Sequence, residues 1–210
     1  MRGRRLACRV RGVRTTPTKG RTSVPVAATL SPKLNDLIDL LDDNSKPYDL
    51  RAIEQLLENL NSLTIDDFEG SLEFSNDRYQ RNYLRQCPAY DLLVVGWKPG
   101  QHSTIHDHRG SACGFRVIQG AGVETSFAQA EGGLVVPEHS TELPTGAVCV
   151  AECACIHAVS NPAHATEDLV TLHLYAPAMP RMNEYELAPD ARPAWEELIA
   201  APSRACRRTA

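Results

Sequence analysis

Two histidines separated by a single residue stand between two glycines in the stretch that begins at Pro99 and ends at Gly120. The spacing is G-x5-H-x-H-x4-C-x6-G, with His106, His108 and Cys113 at its reactive positions. Because alternate residues of a β-strand face the same side, both imidazoles can reach one ion. Imidazole binds Fe, Zn, Cu and Ni, so the pattern predicts a metal site without selecting the metal. The alternative is a pair of ordinary core or surface histidines.

A second run with chemical potential covers residues 170–175, where apolar and polar side chains alternate. The polar face consists of Thr171, His173 and Tyr175. Burying such a face inside a β-barrel is costly unless it lines a site. Taken alone, the same alternation is also typical of a half-exposed antiparallel strand.

The segment "CACIH" offers a rival metal site, because Cys153, Cys155 and His157 would share one strand face. At ~3.3 Å per residue, Cys153 and His157 would lie about 13 Å apart, too far to share one ion without a bend. We therefore expect Cys149, Cys153 and Cys155 to be buried free cysteines that behave as small apolar residues. Three further histidines lie in turn-rich contexts and are expected to be solvated, although the first has the parity to face the site: His102, His139 and His164.

Helical spacing of apolar residues precedes the strand-like region. Ser31 and Pro32 form an N-cap and first-turn pair ahead of an apolar stripe at Leu34, Leu37, Ile38 and Leu41. Asp49 can cap a second helix with a stripe at Ile53, Leu56, Leu57 and Leu60. From Leu72 onward, β-branched and aromatic runs predict strands: "DLLVVGW", "GFRVIQG", "VETSFA", "GAVCVAECACIHAV" and "LVTLHLYA". The stretch "PAWEELIAAP" predicts one more short helix.

Composition narrows the function classes. The 210 residues are 42% hydrophobic and 23% charged, which is typical of a globular protein, and no run approaches the ~18 apolar residues of a membrane span. Nine of the 22 basic residues precede Asp36, so 13 stand against all 26 acidic residues in the remainder. An acidic body argues against nucleic-acid binding. Seven cysteines, three of them crowded together, make a poor disulfide framework and favour a reducing interior.

The predicted organisation is one domain with basic and short terminal extensions. Residues 1–30 are expected to be disordered, and their Arg, Ser and Thr content resembles an organelle transit peptide. An upstream start codon or a basic binding tail are the alternatives. Residues 31–200 form the domain, with helices at about 32–62 and a barrel at about 72–178, and 201–210 form a tail. We expect a cytoplasmic monomer, with organelle targeting left open.

Three strings resemble a known family. The G-x5-H-x-H pattern is similar to the first cupin motif, with Cys113 where a glutamate is usual, and His157 to Asn161 is similar to the H-x3-N end of the second. Together "HDHRGSAC", "HAVSN" and "TLHLYAP" resemble the cysteine dioxygenase family of the cupin superfamily, over roughly Arg78 to Pro177. The resemblance implies a mainly β fold, namely a small, jelly-roll-like cupin β-barrel with an N-terminal α-helical flank.

The same resemblance implies roles for individual residues. His106, His108 and His157 would bind one Fe(II) per chain, leaving coordination positions open as catalysis requires. His173 and Tyr175 would be the catalytic residues, with Thr171 and Trp97 behind them. Tyr79 and Arg81 would bind substrate, Arg81 clamping a carboxylate, although Arg78 and Arg85 compete for that role. Cys113 would form a thioether bond with Tyr175, while an unlinked free cysteine remains the alternative.

The implied function is an oxidoreductase that incorporates both atoms of O2 into L-cysteine, giving cysteine sulfinic acid. Three neutral ligands leave the full dipositive charge of the metal available to attract a thiolate with a carboxylate. A dioxygenase for 3-mercaptopropionate or another small thiol is the closer alternative. A non-enzymatic cupin that binds a metal or a small ligand is the more distant one, and the polar face of Thr171, His173 and Tyr175 argues against it.

Overall fold

The computed structural model describes residues 30–44, 47–151, 155–179 and 181–204. The expectations for the basic head, for Cys153 and for the end of the tail fall on residues outside these ranges. Within them, no helix is both long enough and apolar enough to cross a membrane.

Two amphipathic helices precede the strands, as the apolar stripes predicted. Helix α1 spans Pro32–Asp42, and the Ser31 hydroxyl accepts a hydrogen bond from the Leu34 amide at 3.3 Å. Helix α2 spans Leu50–Glu58, and the Asp49 carboxylate accepts from the Ala52 amide at 2.8 Å. These side chains satisfy amide groups that the first helical turn leaves unpaired. A 3-10 turn at Ile65–Phe68 connects the helices to the strands.

Eleven strands follow in the described part of the chain. Their bounds are β1 (Gln80–Gln86), β2 (Asp91–Trp97), β3 (Ile105–Asp107), β4 (Ala112–Gln119), β5 (Ala121–Gln129), β6 (Val135–Pro144), β7 (Val148–Ala151), β8 (His157–Ser160), β9 (Leu169–Ala176), β10 (Asn183–Tyr185) and β11 (Ser203–Arg204). They form a five-stranded sheet, β1-β2-β9-β4-β7, and a six-stranded sheet, β10-β3-β8-β5-β6-β11. Helix α3 (Arg192–Ala200) lies between β10 and β11 in the chain.

The predicted fold class is confirmed, with differences at the boundaries. The first strand begins at Gln80 rather than near Leu72, because the turn-forming sequence Ser75-Asn76-Asp77 interrupts the chain before it. The single run predicted around Cys149 and Cys153 is two strands that belong to different sheets. Strands β10 and β11 follow the end of the predicted barrel. The sequence did not predict them, because each is only two or three residues long and shows no periodicity.

Helices α1 and α2 cover the outer face of the five-stranded sheet. The apolar residues of β9, Val170, Leu172 and Leu174, are fully buried in one cluster with Leu34 and Leu57 of the helices. Because side chains alternate along a strand, the polar residues of β9 point the other way, into the space between the two sheets. The helical flank thus determines which face of β9 reaches the interior.

The outer face of the six-stranded sheet is covered by helix α3. Trp195 of this helix is 3% exposed and packs edge-on against Phe127 of β5, with a ring-centroid distance of 5.3 Å. Ile105 of β3 and Ala158 of β8 are buried in the same cluster. Residues of β3, β5 and β8 with the opposite parity therefore face the interior.

Candidate metal centre

Three histidines converge between the sheets. His106 lies on β3 directly opposite His157 on β8, and His108 follows β3 by one residue. One nitrogen of each ring lies within 4.8 Å of the corresponding nitrogens of the other two, and all three residues are buried. The Nε2 atoms of His108 and His157 are 3.2 Å apart. The structure thus brings together His106 and His108, whose spacing predicted a shared ion, and His157, which the family resemblance added.

The hydrogen bonds of the rings indicate which nitrogens face the centre. His106 donates through Nδ1 to the Thr104 carbonyl at 2.8 Å, and His157 donates through Nδ1 to Glu124 Oε1 at 2.6 Å. Among the described residues, Nδ1 of His108 has no hydrogen-bond partner. Nε2 is thus the nitrogen of His106 and His157 that is available as a ligand, and Nε2 of His108 lies 3.2 Å from that of His157. Partners of the remote nitrogen fix the tautomer and orientation of a metal-binding histidine.

Burial keeps two of these rings neutral. Burial, together with the neighbouring imidazole of His157, lowers the pKa of His106 to about 3 and that of His108 to about 2. A neutral imidazole has a free lone pair on Nε2, which is the form that binds metals. Three imidazole nitrogens gathered at one buried point are a donor set that fits a divalent transition metal.

Glu124 is a site residue that the sequence analysis did not identify. It lies on β5, and its Oε1 accepts from His157 while its Oε2 accepts from the Cys149 thiol at 3.0 Å. Burial raises the pKa of Glu124, but the hydrogen bonds from His157 and Cys149 outweigh it, so the pKa is lowered. A carboxylate behind a ligating imidazole increases the basicity of the ligand.

The five-stranded sheet contributes a chain of hydrogen bonds to the opposite wall. Trp97 on β2 donates through Nε1 to Thr171 Oγ1 at 2.9 Å. Thr171 Oγ1 is 2.8 Å from His173 Nε2, and His173 Nδ1 is 3.2 Å from the Tyr175 hydroxyl. The Tyr175 ring lies 5.7 Å from the His108 ring. The polar face of β9 thus lines the metal centre.

Arg81 reaches the same pocket from β1. Its guanidinium lies 5.8 Å from the centroid of the Tyr175 ring and takes part in no ion pair or hydrogen bond within the described ranges. Tyr79 also lines the pocket, where it stacks on Trp97 at 4.5 Å. The two competing arginines face elsewhere, since Arg78 is exposed and Arg85 forms a surface ion pair with Asp42 at 2.8 Å.

Cys113 lies directly opposite Tyr175 in the pairing of β4 with β9, and it is 1% exposed. Burial and the nearby Glu124 carboxylate raise the pKa of its thiol. The cross-strand position brings the sulfur to the same face as the phenol ring. The thioether bond itself stays a prediction.

The rival cysteine site does not form among the described residues. Cys155 is exposed and precedes β8, which corrects the expectation that it is buried, because the strand pairing begins only at His157. Cys149 is partly buried and hydrogen-bonded to Glu124. His102, His139 and His164 are exposed, as expected, and His102 faces Trp195 at 5.1 Å rather than the centre.

Comparison with known proteins places the sequence in a family. The family described as "Cysteine dioxygenase type I" matches residues 20–188. Cysteine dioxygenase type 1 of Danio rerio is 31% identical over 69% of this chain and 74% of its own length. The Homo sapiens protein of the same name is 32% identical over 50% of this chain and 54% of its own. A solved structure from Klebsiella pneumoniae with a double-stranded β-helix domain matches 56% of this chain and 93% of its own at 20% identity, with a TM-score of 0.44.

A histidine cluster between two sheets of an antiparallel β-barrel, covered by helices outside, defines a protein of the cupin class. Within that class, the match over residues 20–188 identifies the chain as a member of the cysteine dioxygenase type I family.

Proposed function

We propose that the protein is an Fe(II)-dependent thiol dioxygenase that oxidises L-cysteine to cysteine sulfinic acid, with one iron per chain. The observation that carries this proposal is the unpaired Arg81 guanidinium in the pocket that also holds the three Nε2 atoms. The guanidinium is partly buried and, among the described residues, has no carboxylate bonded to it, so it can bind an anionic ligand. Family membership supports the same reaction, because the two curated relatives are named cysteine dioxygenases.

Different residues would bind the metal and orient the substrate. His106, His108 and His157 would hold the iron, which when bound would supply the redox chemistry that joins O2 to a thiolate. Arg81 offers a planar fork that a carboxylate fits bidentately. Fixing the carboxylate places the sulfur at a defined distance from the ring nitrogens, which turns an encounter into an oriented local reaction.

Tyr175 and the apolar wall control protons and water. The Tyr175 ring lies 5.7 Å from the His108 ring and its hydroxyl is held by His173, so it can donate a hydrogen bond to a group in the pocket. Val95, Phe115 and Val159 line the remaining wall and exclude water from the reacting atoms. The overall change is balanced, because the thiol and one O2 together contain all atoms of the sulfinic acid.

The proposal is tested by anaerobic loading of the full chain with Fe(II), followed by O2 uptake and product analysis. Cysteine should consume one O2 per sulfinic acid formed, and cysteamine, which lacks the carboxylate, should be a poor substrate. Arg81→Leu should raise KM for cysteine by at least about 10-fold, because a charge-assisted bidentate contact is lost. Arg85→Leu on the same strand removes only a surface ion pair and should behave as wild type.

Other outcomes would select the alternatives. A clear preference for 3-mercaptopropionate over cysteine would assign a related thiol dioxygenase. If protein that retains iron takes up no O2 with any of the thiols, the dioxygenase activity is rejected. A non-enzymatic metal-binding cupin is then the remaining function.

We also propose the thioether bond between Cys113 and Tyr175. Their direct cross-strand pairing supports it. In this bond the Sγ atom replaces a ring hydrogen next to the hydroxyl, and the two hydrogens and two electrons lost pass to O2. Intact mass after turnover should fall by two hydrogens, and Cys113→Ala should show no deficit. An undiminished mass after many turnovers would mean that the cysteine stays free.

A further inference from the structure

The hydrogen-bond chain behind Tyr175 begins at a group that can only donate. Trp97 Nε1 carries one hydrogen and no lone pair, and it contacts Thr171 Oγ1 at 2.9 Å. Thr171 is fully buried, and Trp97 is 2% exposed. The chain then continues through His173 to Tyr175, whose positions on β9 alternate inward. Its first hydrogen bond therefore has a known direction.

The Thr171 hydroxyl has one hydrogen and two lone pairs. Trp97 occupies one lone pair, and the contact to His173 Nε2 at 2.8 Å is the other hydrogen bond of this oxygen among the described residues. If Nε2 carried a proton and donated to Thr171, the Thr171 hydrogen would be buried without an acceptor. Such an unmet donor costs about 1–3 kcal/mol. The satisfied arrangement has Thr171 donating to Nε2.

The rest of the chain follows from that direction. Burial, and after it the charge of Arg81, lowers the pKa of His173, so the ring is neutral and has one hydrogen. With Nε2 accepting from Thr171, that hydrogen is on Nδ1. Nδ1 then donates to the Tyr175 oxygen, at 3.2 Å. The Tyr175 hydrogen then points away from His173, into the part of the pocket that also holds the Cys113 sulfur.

We propose that Trp97 is a positioning residue: its indole N–H sets the direction of the Trp97, Thr171, His173, Tyr175 chain so that Tyr175 presents its O–H hydrogen to the pocket. The indole N–H polarises the Thr171 hydroxyl and makes it a stronger donor to Nε2, because hydrogen bonds in a chain strengthen one another. Without it, the preference for this direction falls and the Nε2-protonated form of His173 gains population. The effect on catalysis rests on the proposed function, but the tautomer of His173 does not.

The tautomer can be read directly by nitrogen NMR. The full-length chain, labelled with 15N-histidine and loaded with diamagnetic Zn²⁺, should show His173 protonated at Nδ1 with an unprotonated Nε2, assigned by its loss in His173→Gln. Trp97→Phe should populate the Nε2-protonated form. An Nε2-protonated His173 in the wild type, or an unchanged tautomer in Trp97→Phe, would overturn the proposal.

The chain contains a matched control. Trp195 also donates through Nε1 to a buried threonine, Thr125, at 3.2 Å, but on the outer face of the other sheet. Trp195→Phe should leave the His173 tautomer unchanged. In that background Trp97 is the single remaining tryptophan, so replacement of tryptophan by 3-benzothienylalanine removes its N–H while keeping the ring shape and the stacking on Tyr79. This substitution should reproduce the tautomer change of Trp97→Phe, even if the smaller phenylalanine disturbs folding; a tautomer identical to that of Trp195→Phe would overturn the proposal.

Kinetics separates positioning from packing. In iron-loaded protein the N–H deletion should lower kcat by about 10-fold, the usual scale for an outer hydrogen-bond partner, with KM for cysteine changed less than twofold because Arg81 is untouched. Trp195→Phe should match the wild type. A rise in KM with kcat unchanged would overturn the proposal. An inactive wild type would instead reject the proposed function, while the tautomer measurement would still decide the role of Trp97.

Discussion

Glu124 stands behind the third histidine on a strand whose sequence suggests the opposite orientation. In "VETSFA" the apolar residues Val123 and Phe127 would normally face a barrel interior and the glutamate would face water. Helix α3 reverses this expectation, because Phe127 packs outward against Trp195 and leaves the Glu124 parity inside. The carboxylate then meets His157 at 2.6 Å.

Removing the charge of Glu124 should weaken metal binding. In Glu124→Gln the neutral amide can still accept from His157 Nδ1, but it no longer raises the basicity of the ring. We expect a loss of metal affinity of roughly 10-fold, measured by competition with a chelator. The exposed Glu138 on neighbouring β6 offers the control, and Glu138→Gln should retain wild-type affinity. Equal affinities of both variants would show that Glu124 has no influence on the metal.

Residue types and spacing predicted His106, His108 and the polar face of β9, because those signals are local to one strand each. The third ligand and Arg81 needed family resemblance, since they come from strands far away in the sequence. Glu124 could not be predicted without knowing that a helix covers β5. The missing information is the packing of α3 on β5, because it places the apolar side chain of Phe127 on the outer face of the strand and Glu124 on the inner face.

Strand β3, which carries His106, pairs along one edge with β10. Asp107, between the two histidines, points away from the centre and accepts hydrogen bonds from three groups. These are the Tyr185 hydroxyl at 2.6 Å, the Asn183 amide at 3.1 Å and the Arg109 backbone amide at 2.9 Å. A carboxylate with several donors is a strong anchor. Because side chains alternate along β3, Asp107 anchors the strand on one face and the histidines on either side of it point to the other face.

This anchor predicts a pH dependence of stability. Burial and the hydrogen bond to Asp107 raise the pKa of Tyr185 to about 12, against about 10 in the unfolded chain. The stabilisation is therefore complete below about pH 10 and is lost as the pH rises through about 12. Wild type should exceed Tyr185→Phe by about 1–2 kcal/mol in urea unfolding at pH 8. The difference should shrink at pH 11; a constant difference would contradict the raised pKa.

The contact between α2 and the five-stranded sheet depends on Gly114 of β4. A Cβ at this position would lie 2.6 Å from Ile53 Cγ2 and 2.9 Å from Leu57 Cδ1. Gly114→Ala should therefore push the helix from the sheet and cost about 1–3 kcal/mol of unfolding free energy. Removing the clashing methyl group in Ile53→Ala should make the double variant less destabilised than the sum of the single ones. Strict additivity would show that the helix does not pack on this glycine.

Caps and apolar stripes predicted the helices, and β-branched runs predicted the central strands. Strand order was beyond the sequence, because pairing such as β9 between β2 and β4 is set by long-range packing. The short strands β10 and β11 owe their structure to the sheet edges they join. Their few residues have no pattern that would distinguish them from loops.

At the scale of the whole molecule, the two sheets supply different parts of the site. The three clustered histidines come from β3, β8 and the residue after β3, all in the six-stranded sheet. Arg81 and Tyr175 come from β1 and β9 of the five-stranded sheet. The pocket thus lies between a wall that carries the histidines and a wall that carries Arg81 and Tyr175. Each wall is backed by its own helical cover, α3 on one and α1 with α2 on the other.

The three histidines lie on neighbouring segments of one sheet, so they come together when the chain folds. Metal binding should therefore stabilise the folded chain. A metal at 100 times its dissociation constant adds about 2.7 kcal/mol when it binds only the native state. For a chain of this size that raises Tm by roughly 5–10 °C, measured by calorimetry with Fe(II) under argon against chelator-treated protein. His106→Ala should fold but show no metal-dependent rise, whereas His139→Ala, at an exposed histidine of β6, should retain all of it. An equal Tm with and without metal in the wild type would mean that the cluster holds no ion in the native state.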